Sequence, residues 1–238
     1  MCGRYYITHP KDALERAFSV TKLDPVTPRY NIAPTQEAIV AGLDRDGGIA
    51  ASTMRWGLVP SWADDTSIAG KLINARSETA QNKPAFRQAF ARRRCIVPAS
   101  GFFEWHAESE RDRKTPYAIA RTDDEPLAFA GLYERWHDRD AGGGDPPLLT
   151  FTILTMDAAP SIAQLHHRQP VMLTPDNAQA WLFDAALPHI EDTPPLRTTP
   201  VSRRVNSPKN DDPTLIQPED DRRSTPSSGA GASPTLFE

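Results

Sequence analysis

The sequence has few of the features that mark secreted, membrane or disulfide-bonded proteins. Only two of its 238 residues are cysteines, Cys2 and Cys95, so a disulfide framework is not expected. No apolar run approaches the roughly 20 residues that cross a bilayer, and the N-terminus lacks the basic-then-apolar order of a signal peptide. We therefore expect a cytoplasmic protein with no membrane partner, associated with the nucleoid if the source is prokaryotic.

Strong net charge and clustered metal ligands are also missing. The formal net charge of −4 does not indicate a nucleic-acid binder. It does not exclude one either, because a local basic face is what binds phosphates. His166 and His167 are adjacent, but no further Cys or His stands at metal-ligand spacing. The sequence therefore predicts no metal site.

The residues that are present predict short alternating elements. Twenty-three prolines favour short elements over long helices. Apolar spacing and capping predict helices over 11–18 and 83–94, and a third that begins at Pro175 after the cap residue Thr174. Segments rich in aromatic and β-branched residues predict strands within 37–44, 48–60, 95–106, 116–121, 127–137 and 148–157. We predict an α+β fold, with a curved, barrel-like, mainly antiparallel sheet and flanking short helices.

The last 20 residues differ from the rest of the chain. Twelve of them are Ser, Thr, Pro, Gly or Ala, and such a segment buries too little apolar surface to offset its ordering entropy. We predict one folded domain over residues 1–218 and a disordered C-terminal tail over 219–238. The closing "TLFE" resembles a short tether to the replication machinery.

Cysteine as the second residue suggests specific chemistry. Once Met1 is removed, Cys2 carries an α-amine of pKa about 7.7 and a thiol of pKa about 8.5 on adjacent carbons. In N-terminal-nucleophile hydrolases, such a thiol attacks a carbonyl while the amine acts as base. Alternatively, the amine condenses with an aldehyde to an imine, and the thiol closes a five-membered thiazolidine. The residues alone leave both reactions open, along with a cysteine that has no role.

Polar residues in three motifs are candidates to assist Cys2. "LINARSETA" contains Asn74 and Glu78, and "LHHRQP" contains His166. Glu104 lies within the aromatic run "SGFFEWH", where burial would raise its pKa and suit it to proton transfer. The alternative is that the two-residue periodicity of a strand directs Glu104 to solvent.

Arginines and tryptophans are the residues that suggest nucleic-acid binding. Arg4 adjoins Cys2, and Arg76 and Arg168, with the arginines of 87–94, could form a phosphate-binding track. The alternative is ordinary solvated charge. "WGLVPSWA" has two tryptophans, of which Trp62, nearer the loop, is the better candidate for stacking on an unpaired base.

Taken in order, these motifs resemble the SRAP family (SOS response-associated peptidase). Its members are abasic-site processing proteins that crosslink to single-stranded DNA. The resemblance covers residues 2–218 and rests on "MCGRY", "PRYNIAPTQ", "MRWGLVPSWA", "LINARSETA", "RCIVPASGFFEW", "LHHRQPVML" and "PVSRRVNSPKNDDPTLIQP".

The resemblance implies four catalytic residues. Cys2 looks like the crosslinking nucleophile, and Asn74 like the residue that holds its amine. Glu104 looks like the acid–base residue, and His166 like the residue that assists opening of the sugar.

It also implies a DNA-binding set. Arg4, Arg76 and Arg168 look like phosphate contacts, and Trp62 like the base-stacking aromatic. Ala63 stands where some members carry a second aromatic, which reduces the expected stacking surface. The family varies at the position of His167, and no role is assigned to it.

The function implied is covalent capture of abasic sites in single-stranded DNA by a monomer that needs no metal or organic cofactor. The enzyme class implied is a self-processing, Met1-removing peptidase with crosslinking or lyase-type activity. Two alternatives remain: a cysteine hydrolase that attacks an amide, and a reader of modified nucleic acid that forms no covalent bond.

Overall fold

The computed structural model describes residues 2–107, 109, 113–139 and 145–219. Strands alternate with short helices, as the composition predicts. The strands of the described part are β1 Tyr5–Ile7, β2 Val20–Lys22, β3 Arg29–Ile32, β4 Glu37–Leu43, β5 Ile49–Trp56, β6 Asn74–Arg76, β7 Arg94–Ala99, β8 Gly101–His106, β9 Thr115–Arg121, β10 Leu127–Trp136, β11 Leu148–Asp157, β12 Arg168–Pro170, β13 Met172–Leu173 and β14 Leu196–Pro200. The helices there are α1 Lys11–Phe18, α2 Ser77–Ala80, α3 Arg87–Arg92 and α4 Pro175–Asp184, with 3-10 turns at Ser67–Lys71, Ile190–Asp192, Arg203–Asn206 and Pro213–Ile216.

Five strands close into a barrel. Strands β11, β10, β7, β4 and β5 pair antiparallel in that order, and β5 then pairs parallel with β11. Closure pairs the backbone groups that an open sheet would leave at its edges. The predicted curved, barrel-like and mainly antiparallel sheet is confirmed.

A smaller sheet packs against the barrel, in the order β14, β9, β8, β1 and β3. Tyr5 of β1 contacts two barrel side chains, with ring centroids 5.3 Å from Trp56 and 5.8 Å from Phe129. Edge-to-face packing of this kind stabilises beyond the area buried. This contact fixes β1, and with it the residues just before β1, against the barrel.

Both faces of β8 are covered. Phe102 joins the main core, while Phe103 packs with Tyr6 in a second hydrophobic cluster. Gly101 is required here, because a Cβ would lie 2.3 Å from the Tyr6 hydroxyl and 2.4 Å from the Ile119 carbonyl oxygen. The first four residues of β8, Gly101 to Glu104, are therefore all buried, whichever face of the strand they lie on.

Two predicted elements differ from the structure. The helix expected over 83–94 is confined to α3, because residues 81–86 form turns around Pro84 and Arg94 begins β7. The strand expected over 95–106 is two strands separated by Ser100, and they belong to different sheets.

The C-terminal end of the described chain is attached to the smaller sheet. Pro218 pairs with Val201, and the Glu219 N–H donates to the Pro200 carbonyl oxygen at 2.9 Å. The boundary at residue 218 stays a prediction, and the rest of the predicted tail lies outside the described residues.

Candidate active site

Cys2 lies immediately before β1, where the smaller sheet meets the barrel. Its side chain is fully buried, and its thiol faces the Arg4 carbonyl oxygen at 3.9 Å. Burial raises the pKa of the thiol far above its ordinary value, and the negative charge of Glu104 raises it further. The thiol is therefore protonated at neutral pH and is a poor nucleophile in this state.

Asn74 holds the backbone of Cys2. It begins β6, which runs parallel to β11, and its Nδ2 donates to the Cys2 carbonyl oxygen at 2.7 Å. Its Oδ1 is buried and accepts no hydrogen bond from the described residues. One side of this amide thus anchors Cys2, while the other retains an acceptor inside the site.

Glu104 lies on β8 with 5 % of its surface exposed. The alternative that strand periodicity directs it to solvent is wrong, because the core covers its face of β8. Burial raises the pKa of Glu104 to about 7, while a hydrogen bond from the Trp105 backbone and, more weakly, the charge of Lys114 act in the opposite direction. A carboxyl with this pKa can both give and take a proton near neutral pH.

His166 precedes β12 at the side of the site formed by β11. The Arg168 N–H donates to Nδ1 at 2.9 Å, and the Arg168 carbonyl oxygen lies 3.1 Å from the same atom. Burial lowers the pKa of His166, which favours the neutral ring. A neutral ring that accepts at Nδ1 carries its proton on Nε2. The ring also stacks on that of His167, with centroids 4.3 Å apart.

The three predicted phosphate contacts differ in their surroundings. Arg76 is exposed, and its side chain makes no hydrogen bond or ion pair within the described part of the chain. Arg4 is half-buried, and its Nη1 donates to Asn31 Oδ1 and to the Val205 carbonyl oxygen, each at 2.7 Å. Arg168 is buried, and both of its Nη atoms donate to protein groups. Of the three, only Arg76 presents its whole guanidinium to a ligand.

Trp62 is 51 % exposed on the loop after β5. The next residue, Ala63, is buried, and its carbonyl oxygen accepts from Trp136 Nε1 at 2.8 Å. A larger side chain at position 63 would have to displace this packing. Trp62 therefore presents one exposed aromatic ring on this loop.

Glu78 is joined to Arg168, one of the predicted site residues. Glu78 pairs with Arg168 through both carboxylate oxygens, at 2.6 and 3.0 Å. The sequence singles out Glu78 as a polar residue but shows no partner, because position 168 is remote in the chain.

No cluster of His, Cys, Asp or Glu within the described ranges could hold a metal ion. Of the helices described, none is long and apolar enough to cross a membrane.

Comparison with models of known protein families shows which family this chain belongs to. The family model of the SOS response associated peptidase (SRAP) matches residues 1–208. The chain belongs to the SRAP family.

Other SRAP chains are similar over almost their whole length. The abasic site processing protein YoqW of Bacillus subtilis (strain 168) is 36 % identical over 228 residues, which cover 91 % of this chain and 99 % of that protein. The abasic site processing protein YedK of Escherichia coli (strain K12) is 30 % identical over 236 residues, covering 92 % of this chain and 100 % of that one. A crystal structure of a protein from Bacteroides thetaiotaomicron superposes with a TM-score of 0.74 at 27 % identity, over 92 % of this chain and 100 % of that one.

Proposed function

We propose that this chain captures abasic sites in single-stranded DNA by forming a thiazolidine between Cys2 and the ring-opened sugar. The observation that carries the proposal is the arrangement around Cys2. Asn74 holds its backbone at 2.7 Å, and Glu104 is close enough for its charge to act on the thiol. The relatives named abasic site processing proteins supply the substrate class.

The first step is opening of the sugar. An abasic site is a cyclic hemiacetal in equilibrium with an open-chain aldehyde. We propose that His166, in its doubly protonated form, donates its Nε2 proton to the ring oxygen as the ring opens, which leaves a neutral ring with its proton on Nδ1 facing the Arg168 carbonyl oxygen. The hydroxyl proton of the hemiacetal leaves to a base, for which Glu104 has the appropriate pKa.

The second step is attack by the α-amine that Cys2 carries once Met1 is removed. The neutral amine adds to the aldehyde carbon, and loss of one water gives an imine. The Oδ1 of Asn74, which has no partner among the described residues, is suited to accept an N–H from this amine and to orient its lone pair. Glu104 gives the proton that the departing water requires.

The third step closes the ring. The thiol sulfur bonds to the imine carbon, while the thiol proton transfers to the imine nitrogen. The raised pKa of the buried thiol favours this order over initial attack by a thiolate. The same burial counts against the cysteine-hydrolase alternative, in which the thiolate reacts first.

Met1 must leave before any of these steps. We propose that the chain removes it, which is the peptidase-type activity. Intact masses of the wild type and of Glu104→Gln, produced in the same cells, test this. Retention of Met1 by the variant alone supports self-removal, whereas loss from both assigns removal to a cellular aminopeptidase.

We propose that the DNA lies across Arg76 and Trp62, and that the domain acts as a monomer. A denaturing gel with a single-stranded abasic oligonucleotide separates the three candidate functions. A shifted band supports covalent capture. A complex seen only on a native gel supports the non-covalent reader, and turnover of a peptide without DNA supports the hydrolase.

A further inference from the structure

Both Nη atoms of Arg168 donate hydrogen bonds to other groups of the protein. Its side chain is 7 % exposed. Nη1 donates to Glu78 at 2.6 Å and to Asp157 at 2.8 Å, while Nη2 donates to Glu78 at 3.0 Å and to the Thr155 carbonyl oxygen at 2.5 Å. We call this set of four residues the Arg168 clasp.

The Arg168 clasp joins three segments that carry or flank the site. Arg168 begins β12, Asp157 and Thr155 end β11, and Glu78 lies on α2, directly after the strand that begins with Asn74. The hydrogen bond from Arg168 lowers the pKa of Glu78, so the pair is ionic at neutral pH. A two-point arginine–carboxylate pair fixes direction as well as distance.

These contacts leave few N–H groups of Arg168 available to bind a phosphate. Both Nη atoms are already engaged, and Nε is buried. A phosphate at this guanidinium would have to displace Glu78, which would leave a carboxylate without its partner beside an anion. The geometry therefore favours a role other than direct DNA contact.

The backbone of Arg168 contacts His166. Its N–H lies 2.9 Å from Nδ1 and its carbonyl oxygen 3.1 Å from the same atom. The N–H suits a ring whose Nδ1 carries no proton, and the carbonyl oxygen suits a ring that is protonated at Nδ1. A fixed Arg168 peptide can thus hold the imidazole in one orientation, and its carbonyl oxygen can accept from Nδ1–H while Nε2 gives up and regains a proton.

We propose that Arg168 and Glu78 are positioning residues that hold the His166 ring for proton transfer. The inference rests on the proposed function. The Arg168 guanidinium then binds a carboxylate of the protein in place of the expected phosphate, and Glu78 supplies that carboxylate.

Single-turnover rates and DNA affinity measured together test the proposal. Glu78→Gln keeps the shape of the side chain but removes its charge, and Arg168→Lys loses the two-point pair. Both should slow adduct formation on the order of 10-fold or more, since small misplacements of reacting groups are costly. Affinity for single-stranded DNA and its salt dependence should not change. As the control, Asp12→Asn breaks a helix-surface ion pair with Arg16 and should leave both quantities unchanged.

A double-mutant cycle with His166→Ala separates the roles. If the Arg168 clasp acts through His166, Glu78→Gln should cause no further slowing in the His166→Ala background. If Glu78→Gln slows the His166→Ala protein by the same factor as it slows the wild type, the proposal is overturned. So does a salt dependence flattened by about 0.7 in Arg168→Lys, which would show a lost phosphate contact.

NMR of the His166 ring without DNA gives a readout that does not require the proposed reaction. In Glu78→Gln, the Nδ1 resonance of His166 should shift relative to the wild type and to Asp12→Asn. An unchanged resonance overturns the proposal. If the wild type forms no adduct, the proposed function fails, while this resonance still tests the Arg168 clasp. Should Arg168→Lys fail to fold, Glu78→Gln carries the whole test.

Discussion

Replacing Glu104 by Gln should change how the stability of the fold depends on pH. Burial holds the pKa of Glu104 at about 7, against an ordinary value of 4.5. Between these values the unfolded chain ionises its carboxyl while the folded chain keeps it protonated. The folded state then binds more protons, so the free energy of unfolding falls as pH rises. A shift of this size corresponds to about 3 kcal/mol, lost progressively from about pH 4 to pH 8.

Urea denaturation at a series of pH values measures the effect. Between pH 4 and pH 8, the free energy of unfolding of the wild type should fall by about 3 kcal/mol relative to that of Glu104→Gln, since the amide has no charge to desolvate. Glu37→Gln, at the exposed start of β4, should reproduce the wild-type profile and serves as control. Intact masses must show the same N-terminus in all three proteins. Parallel profiles for the wild type and Glu104→Gln would refute a carboxyl held protonated by burial.

Three further predictions concern DNA binding and the amine. Arg76→Ala should flatten the slope of log affinity against log salt by about 0.7, whereas Arg45→Ala, on the turn after β4, should leave the slope unchanged. If Arg76→Ala has the same slope as the wild type, Arg76 does not contact a phosphate. Trp62→Ala should abolish the preference for single strands over duplex in competition binding, because stacking on an unpaired base is worth about 1–3 kcal/mol; a preserved preference would refute the stacking role. Asn74→Ala should slow adduct formation in single-turnover assays while leaving DNA affinity within a few-fold of the wild type. If the rate and the DNA affinity both fall strongly, Asn74 is a DNA-binding residue instead.

Local patterns predicted α1, the start of α4 and the longer strands β4, β5 and β7 to β11, but none of the described strands of five residues or fewer. The predicted helix over 11–18 is α1, and α4 begins at Pro175 with Thr174 as its cap. These features depend on neighbouring residues, so a single sequence contains them. Closure of the barrel depends on β5 pairing with β11, which lies about a hundred residues away in the chain, and no local pattern specifies that partner.

The site shows the same division between local and distant information. Aromatic neighbours suggested that Glu104 is desolvated, but only the covering of both faces of β8 decides against solvent. Arg168 shows the opposite case. Its sequence neighbourhood suggested a phosphate contact, while the structure surrounds its guanidinium with Glu78, Asp157 and Thr155. Contacts between residues 78 and 168 arise only when β6 and β12 are placed on either side of β11.

The mass of the covalent adduct tests the central claim most directly. Wild-type protein incubated with a single-stranded abasic oligonucleotide should give a species equal to the Met1-free chain plus the DNA less one water. A chain extended by an unremovable tag before Cys2 keeps the thiol but converts the amine to an amide, so it should give no adduct, even after borohydride reduction. Cys2→Ser keeps the amine and should give an adduct that survives only after reduction. A tagged chain that crosslinks as the wild type does would contradict attack by the amine, and with it the proposed mechanism.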